Sequence, residues 1–164
     1  MKPNNIILYI IVLACIYFGF DAEWGYTAET AWWTHLSFHF AHGNVFHAAA
    51  NLFVLFLLLM ERNDKWWWWI VSFAVATACS FIVVADKPTV GLSGVLFVAC
   101  GVVTTKDGVR WKPLLQMLLF MAVTLFVSSV AVYLHFICLF AGVLIGCACA
   151  VTDEIKRKER MYGN

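Results

Sequence analysis

The sequence predicts an all-α integral membrane protein with six transmembrane helices. Three observations carry that prediction: its composition, six recurring apolar stretches, and the sorting of charge between them. Of 164 residues, 63% are hydrophobic and only 13% charged, far from the composition of a water-soluble domain. A span needs about 20 mostly apolar residues, so a chain of this length has room for about six short spans with brief loops and no sizeable soluble domain. A net charge of +1 argues against a nucleic-acid partner. The one basic cluster, Lys156-Arg157-Lys158-Glu159-Arg160, follows an apolar run and reads as a membrane-side anchor.

The apolar stretches run over 5–20, 44–60, 66–85, 93–105, 113–129 and 133–151, within one domain covering 1–164. The first reads as a retained span and not a signal peptide, because Asp21-Ala22-Glu23-Trp24 offers no small-residue cleavage site. Segment 21–43 is too polar to span yet carries Trp24, Trp32, Trp33, Phe38 and Phe40, which predicts an outer loop lying partly in the interface. Within it, His35 and His39 are expected on the polar face of an interfacial helix. Asn44 is placed to cap the second span. The third opens on Trp66 to Trp69, whose indole rings favour the headgroup level. The fourth has about 13 residues, roughly 20 Å of helix, and cannot cross a core of about 30 Å unaided. The preceding Pro88-Thr89-Val90-Gly91-Leu92 must therefore descend into the membrane, where irregular backbone is tolerated only inside protein or beside a wet cavity.

Loop charge fixes the expected orientation. One side collects Lys2, Arg62, Lys65, Lys106, Arg110, Lys112 and the C-terminal basic cluster, while the other holds only Lys87 with Asp21, Glu23, Glu29 and Asp86. Both termini are thus expected in the cytoplasm. The six cysteines all fall in apolar runs without zinc-site or disulfide-framework spacing, and are expected to be buried packing residues.

Polar groups inside hydrocarbon need partners, and ionisable ones there are functional candidates. His47 and Asn51 share one face of the second span at i,i+4, with His42 just before it. Gly91-Leu92-Ser93-Gly94 opens the fourth span, and His135 lies near the start of the sixth. Counting helical rise from the cytoplasmic ends puts Ser93 roughly 18 Å, His135 roughly 25 Å, and Asn51 and His47 roughly 15 to 21 Å from the inner boundary. All four occupy the outer half, so three helices can build one site. Ser93 would then sit at a helix N-terminus, where free N–H groups favour developing negative charge. A serine hydroxyl needs a positioned base, and His135 is the available one. No carboxylate lies at membrane depth to orient it, so a dyad is the most the sequence permits. Phe97, one turn beyond Ser93, can hold the imidazole by ring packing. The Ser93 backbone N–H, the Asn51 amide and His47 are the available oxyanion donors.

The order His42-x4-His47-x3-Asn51, then Gly91-Leu92-Ser93-Gly94, then His135 with Gly142 seven residues on, resembles the signature of the rhomboid intramembrane serine proteases. The resemblance covers essentially the whole chain as the minimal six-helix core. It implies Ser93 as nucleophile, His135 as general base, His47 and Asn51 as oxyanion donors, Phe97 as the aromatic packed on the base, and His42 as part of the family's polar network. It also implies a partly helical first outer loop, here 21–43, and substrates that are transmembrane segments of other proteins, entering between the second and fifth helices and carrying a small residue at the cut. Gly91, Gly94 and Gly142 belong to the same motifs.

The chain departs from the family at Trp33-Thr34, where the family has Trp-Arg, and at Leu134 and Cys138, where it usually has alanine and glycine. The volume of Cys138 is expected to widen the contact between the fourth and sixth helices and lengthen the Ser93–His135 distance. No metal or organic cofactor is implied. The lipid bilayer is the expected surrounding, and the minimal size suggests a prokaryotic plasma membrane. Two alternatives stand beside the protease: a silent relative that binds membrane helices without cutting them, and a metal transporter built on His35, His39, His42 and His47.

Overall fold

Among the described residues the regular elements are helical, and Tyr26 and Thr89 form an isolated antiparallel bridge. The computed structural model describes residues 3–61, 66–106, 110–124 and 129–162. The basic residues Lys2, Arg62 and Lys65, and positions 125–128 of the fifth apolar stretch, lie outside these. The helices are α1 (Pro3–Phe18), a 3-10 turn (Ala22–Trp24), α2 (Thr34–Ser37), α3 (Val45–Glu61), α4 (Trp67–Ser80), α5 (Ser93–Thr105), α6 (Trp111–Thr124) and α7 (Ser129–Tyr162). Within α7, Val132–Tyr162 is long and apolar enough to cross a membrane; Leu8–Phe18, Val45–Leu59, Trp67–Ser80 and Ser93–Thr105 are shorter apolar helices.

The centre of the molecule is α5. All 13 of its residues are buried, which is how a helix of mean apolar character with no polar face must sit. Its partner is α7, and glycines set the separation. A Cβ on Gly142 would overlap the Val98 carbonyl, and one on Gly146 would overlap Thr105 Oγ1. On the facing helix, a Cβ on Gly101 would stand 2.6 Å from the Leu139 carbonyl oxygen and from the Val143 nitrogen. Small residues one turn apart on both helices thus bring the two backbones into direct contact. Thr105 fastens the seam, donating from Oγ1 to Gly101 O (2.9 Å) and lying 3.2 Å from Val143 O.

Four expectations change in detail. α4 ends at Ser80 and not near 85, because residues 85–89 leave the helix to pair with segment 21–43: Tyr26 and Thr89 exchange backbone bonds (3.2 and 3.0 Å), and Ala28 N donates to Ala85 O (2.9 Å). α7 continues past 151 through the basic cluster, whose charges are held on an exposed helix with Arg157 and Lys158 beside Glu154. Of the tryptophan tetrad, Trp68 and Trp69 turn inward and are buried, whereas Trp66 and Trp67 are exposed. Cys147 is exposed and Cys149 half-buried, while the other four cysteines are buried; the helix turns at 147–149 face away from the α5 seam.

Candidate active site

Segment 88–92 delivers Ser93 to the head of α5. Gly91 has a φ of +128°, a conformation side chains rarely adopt, and its N–H donates to the Phe38 carbonyl of segment 21–43 (2.8 Å). α5 begins at Ser93, whose N–H is among the first-turn amides that have no acceptor within their own helix.

Ser93 Oγ lies 2.7 Å from His135 Nε2, although 42 residues separate them in sequence. Both residues are buried, at 6% and 3% exposure, so the bond forms away from bulk water. Hydroxyl-to-ring donation leaves Nε2 as acceptor and places the ring proton on Nδ1, which has no hydrogen-bond partner among the described residues. The orienting contact comes from an aromatic: the Phe97 ring stacks on His135 with centroids 4.5 Å apart and planes 23° apart.

α3 supplies the facing groups. Asn44 caps it, its Oδ1 accepting from His47 N (2.9 Å). The Gly43 N–H donates to His47 Nδ1 (3.3 Å), which places the proton of the neutral ring on Nε2. That Nε2 lies beside Gly91: a Cβ built there would be 2.8 Å from it and 3.6 Å from Asn51 Nδ2. Asn51 is buried and gives one amide hydrogen to His47 O (3.1 Å), leaving the second amide hydrogen for another acceptor. His42 is also buried; its Nδ1 donates to Phe40 O (3.0 Å), and its ring meets His47 edge-on at 5.2 Å. Burial, with the His47 ring as a lesser cause, holds His42 down to about 4, so it is neutral near pH 7.

The structure thus gathers Ser93, His135, Phe97, His47, Asn51 and Gly91 around the head of α5, with His42 behind His47. A Cβ added at Gly94 would make only ordinary contacts, with Cys138 Sγ (3.5 Å), Ala76 and Leu134, and Gly142 belongs to the helix seam below. The expected widening by Cys138 does not occur. Its sulfur fills a space beside Gly94, and the separation of α5 and α7 is set lower down by Gly101, Gly142 and Gly146. Gly101 was not singled out by sequence reasoning; its four-residue offset from Phe97 and Thr105 was the available signal.

His35 and His39 do not form the polar face of an interfacial helix. α2 covers only Thr34–Ser37, and both rings turn onto α4: His35 Nδ1 lies 2.8 Å from Ser80 Oγ, and His39 Nε2 lies 3.0 Å from Thr77 Oγ1. Their i,i+4 spacing does put them on one face, but that face meets protein. His39 is fully buried, and burial holds it down to about 3, with His35 a lesser cause. Among the described residues, no three His, Cys, Asp or Glu side chains are grouped to hold a metal ion.

Comparison with known families agrees with this architecture. The family model described as the rhomboid domain matches residues 29–153, most of the chain, from the segment before α2 into α7. The chain belongs to the rhomboid family, and is a helical, membrane-embedded protein. No curated protein and no solved structure matched it.

Proposed function

We propose that this rhomboid protein is an intramembrane serine endopeptidase that cuts transmembrane segments of other proteins near their outer ends. The observation that carries the reading is the buried 2.7 Å contact between Ser93 Oγ and His135 Nε2. Ser93 attacks the scissile carbonyl as His135 Nε2 takes its proton, and the imidazolium is held by the stacked Phe97 ring. The tetrahedral oxyanion is met by the Ser93 N–H, the His47 Nε2–H and the free amide hydrogen of Asn51. His135 then protonates the leaving amine, and afterwards removes a proton from the water that releases the acyl group from Ser93.

The topology that suits this chemistry has six spans, α1 and α3 to α7, with both termini in the cytoplasm of a prokaryotic plasma membrane. The biased loop charges support it. α3, α5 and α7 then run inward from the outer face and carry the site in the outer half of the bilayer. By family resemblance, substrates enter between α3 and α6 and present a small residue at the cut.

The test compares wild type with Ser93→Ala on a generic transmembrane substrate in liposomes, together with labelling by a fluorophosphonate. Cleavage and labelling that both require Ser93 are expected. Equal cleavage by the two proteins would remove Ser93 from the mechanism, and substrate binding with no Ser93-dependent turnover would make the chain a silent relative. Activity abolished by a chelator would transfer the chemistry to a metal.

A further inference from the structure

Segment 21–43 meets the stretch before Ser93 through the Tyr26–Thr89 pair and, nearest to Ser93, through Phe38, and His39 stands next to that last contact. The Phe38 carbonyl accepts the Gly91 N–H at 2.8 Å, so the turn before Ser93 hangs on that segment's backbone. The neighbouring residue, His39, is fully buried and fixes that stretch to α4 through its 3.0 Å contact with Thr77 Oγ1. Its ring also packs on Phe73 of α4 (centroids 4.6 Å) and on Phe38 (3.8 Å). His39 Nδ1 has no hydrogen-bond partner among the described residues. A second ring proton would therefore lie in an apolar enclosure with nothing to accept it.

We propose that His39 is a positioning residue for the reaction: docked on Thr77, it holds the Phe38 carbonyl on the Gly91 amide, and so holds the Gly91 turn against His47 and at the entry to Ser93. This rests on the protease reading for its consequence in catalysis, while the docking itself does not. The side chains facing His39 from α4 are Thr77 and Phe73, neither of which titrates. From segment 21–43 they are Phe38 and His35, and among the described residues His35 is the titratable neighbour acting on the ring. No carboxylate is among these groups to stabilise an imidazolium. The docking thus requires a neutral ring and loosens when His39 takes up a proton.

The experiment follows two quantities in the full chain in detergent micelles: the hydrogen-exchange protection factor of the Gly91 amide, which needs no catalysis, and kcat and KM on a transmembrane substrate. His39→Ala should lower Gly91 protection and kcat about tenfold, the size of one lost hydrogen bond, with KM little changed. His39→Gln, which can still reach Thr77 but cannot titrate, should restore both at neutral pH. On acidification from pH 7 to about 5 the docked ring stays neutral while the ring of the undocked segment takes up a proton near 6.5, so opening is favoured: the Gly91 protection factor of wild type should fall more than tenfold, and that of His39→Gln should not. Thr77→Val removes the bond while keeping the shape of α4, and should reproduce the His39→Ala effect on Gly91 in a folded protein.

Equal Gly91 protection in wild type, His39→Ala and Thr77→Val would overturn the proposal. So would an equal acid loss of protection in wild type and His39→Gln. A wild-type protein that cleaves nothing would sink the protease reading instead, and leave the exchange result to judge the docking alone.

Discussion

The His47 ring closes on Gly91: a methyl group added there would stand 2.8 Å from both Cε1 and Nε2. Glycine at this position thus answers two demands, a φ of +128° and the closeness of the His47 ring, the proposed oxyanion donor. Gly91→Ala should therefore push His47 away and strain the turn. Losing one such donor typically costs about 10²- to 10³-fold in kcat. Single-turnover cleavage measured on protein whose melting temperature is checked in parallel gives the comparison; a loss below about threefold would contradict it.

Phe97→Leu should keep the α5 core filled but remove the ring that orients His135. Stacked aromatic pairs contribute about 0.5–1.5 kcal/mol beyond burial, so a fall in kcat of roughly 2- to 12-fold is expected. Fluorophosphonate labelling rates report it directly, since they depend on the same proton transfer.

Cys138→Gly separates the sequence argument from the structural one. If the thiol held the dyad apart, glycine there would raise activity. With Ser93 and His135 already 2.7 Å apart and Cys138 fully buried, we expect no gain. We expect instead a stability loss of about 2 kcal/mol, from a small cavity and from glycine inside a helix, read from thermal or denaturant unfolding in micelles.

Gly142→Val should be the most damaging change to folding. Its side chain would meet the Val98 backbone, which cannot rotate away as a side chain can. Overpacking of this kind costs about 1–3 kcal/mol or more, and poor recovery of monodisperse protein is the expected readout.

Stability should also fall in acid. The folded state holds His39 neutral down to about 3, whereas the unfolded chain takes up the proton near its ordinary 6.5. A depressed histidine therefore stabilises the fold fully above about pH 6.5 and loses that contribution at about 1.4 kcal/mol per unit as pH falls toward 3. His39→Gln should flatten the slope of melting temperature against pH between about 7 and 5. His42, held down to about 4, leaves a residual slope.

Much of the site was readable because its chemistry is unusual for its surroundings. A serine, an asparagine and two histidines in apolar stretches stand out against their neighbours, and helical rise led to the expectation that all four share the outer half of the bilayer. The short fourth stretch likewise announced a helix that starts inside the protein. What could not be read is contact between segments that share no periodicity. Whether His35 and His39 met water or α4 depended on where residues 85–89 pair, a relation between distant stretches carried by backbone bonds and blind to side-chain identity. The same holds for Cys138. Its effect depended on how far apart the two helices lie, and that distance is decided one to two turns away by Gly101, Gly142 and Gly146.

That seam has a mechanical corollary. The Ser93 hydroxyl and the His135 imidazole ride on two rods whose main chains touch, so thermal breathing of the lipid or repacking of nearby side chains has little leverage on their alignment. Whatever room a guest polypeptide requires must be made by tilting the elements that do not share this glycine-lined keel.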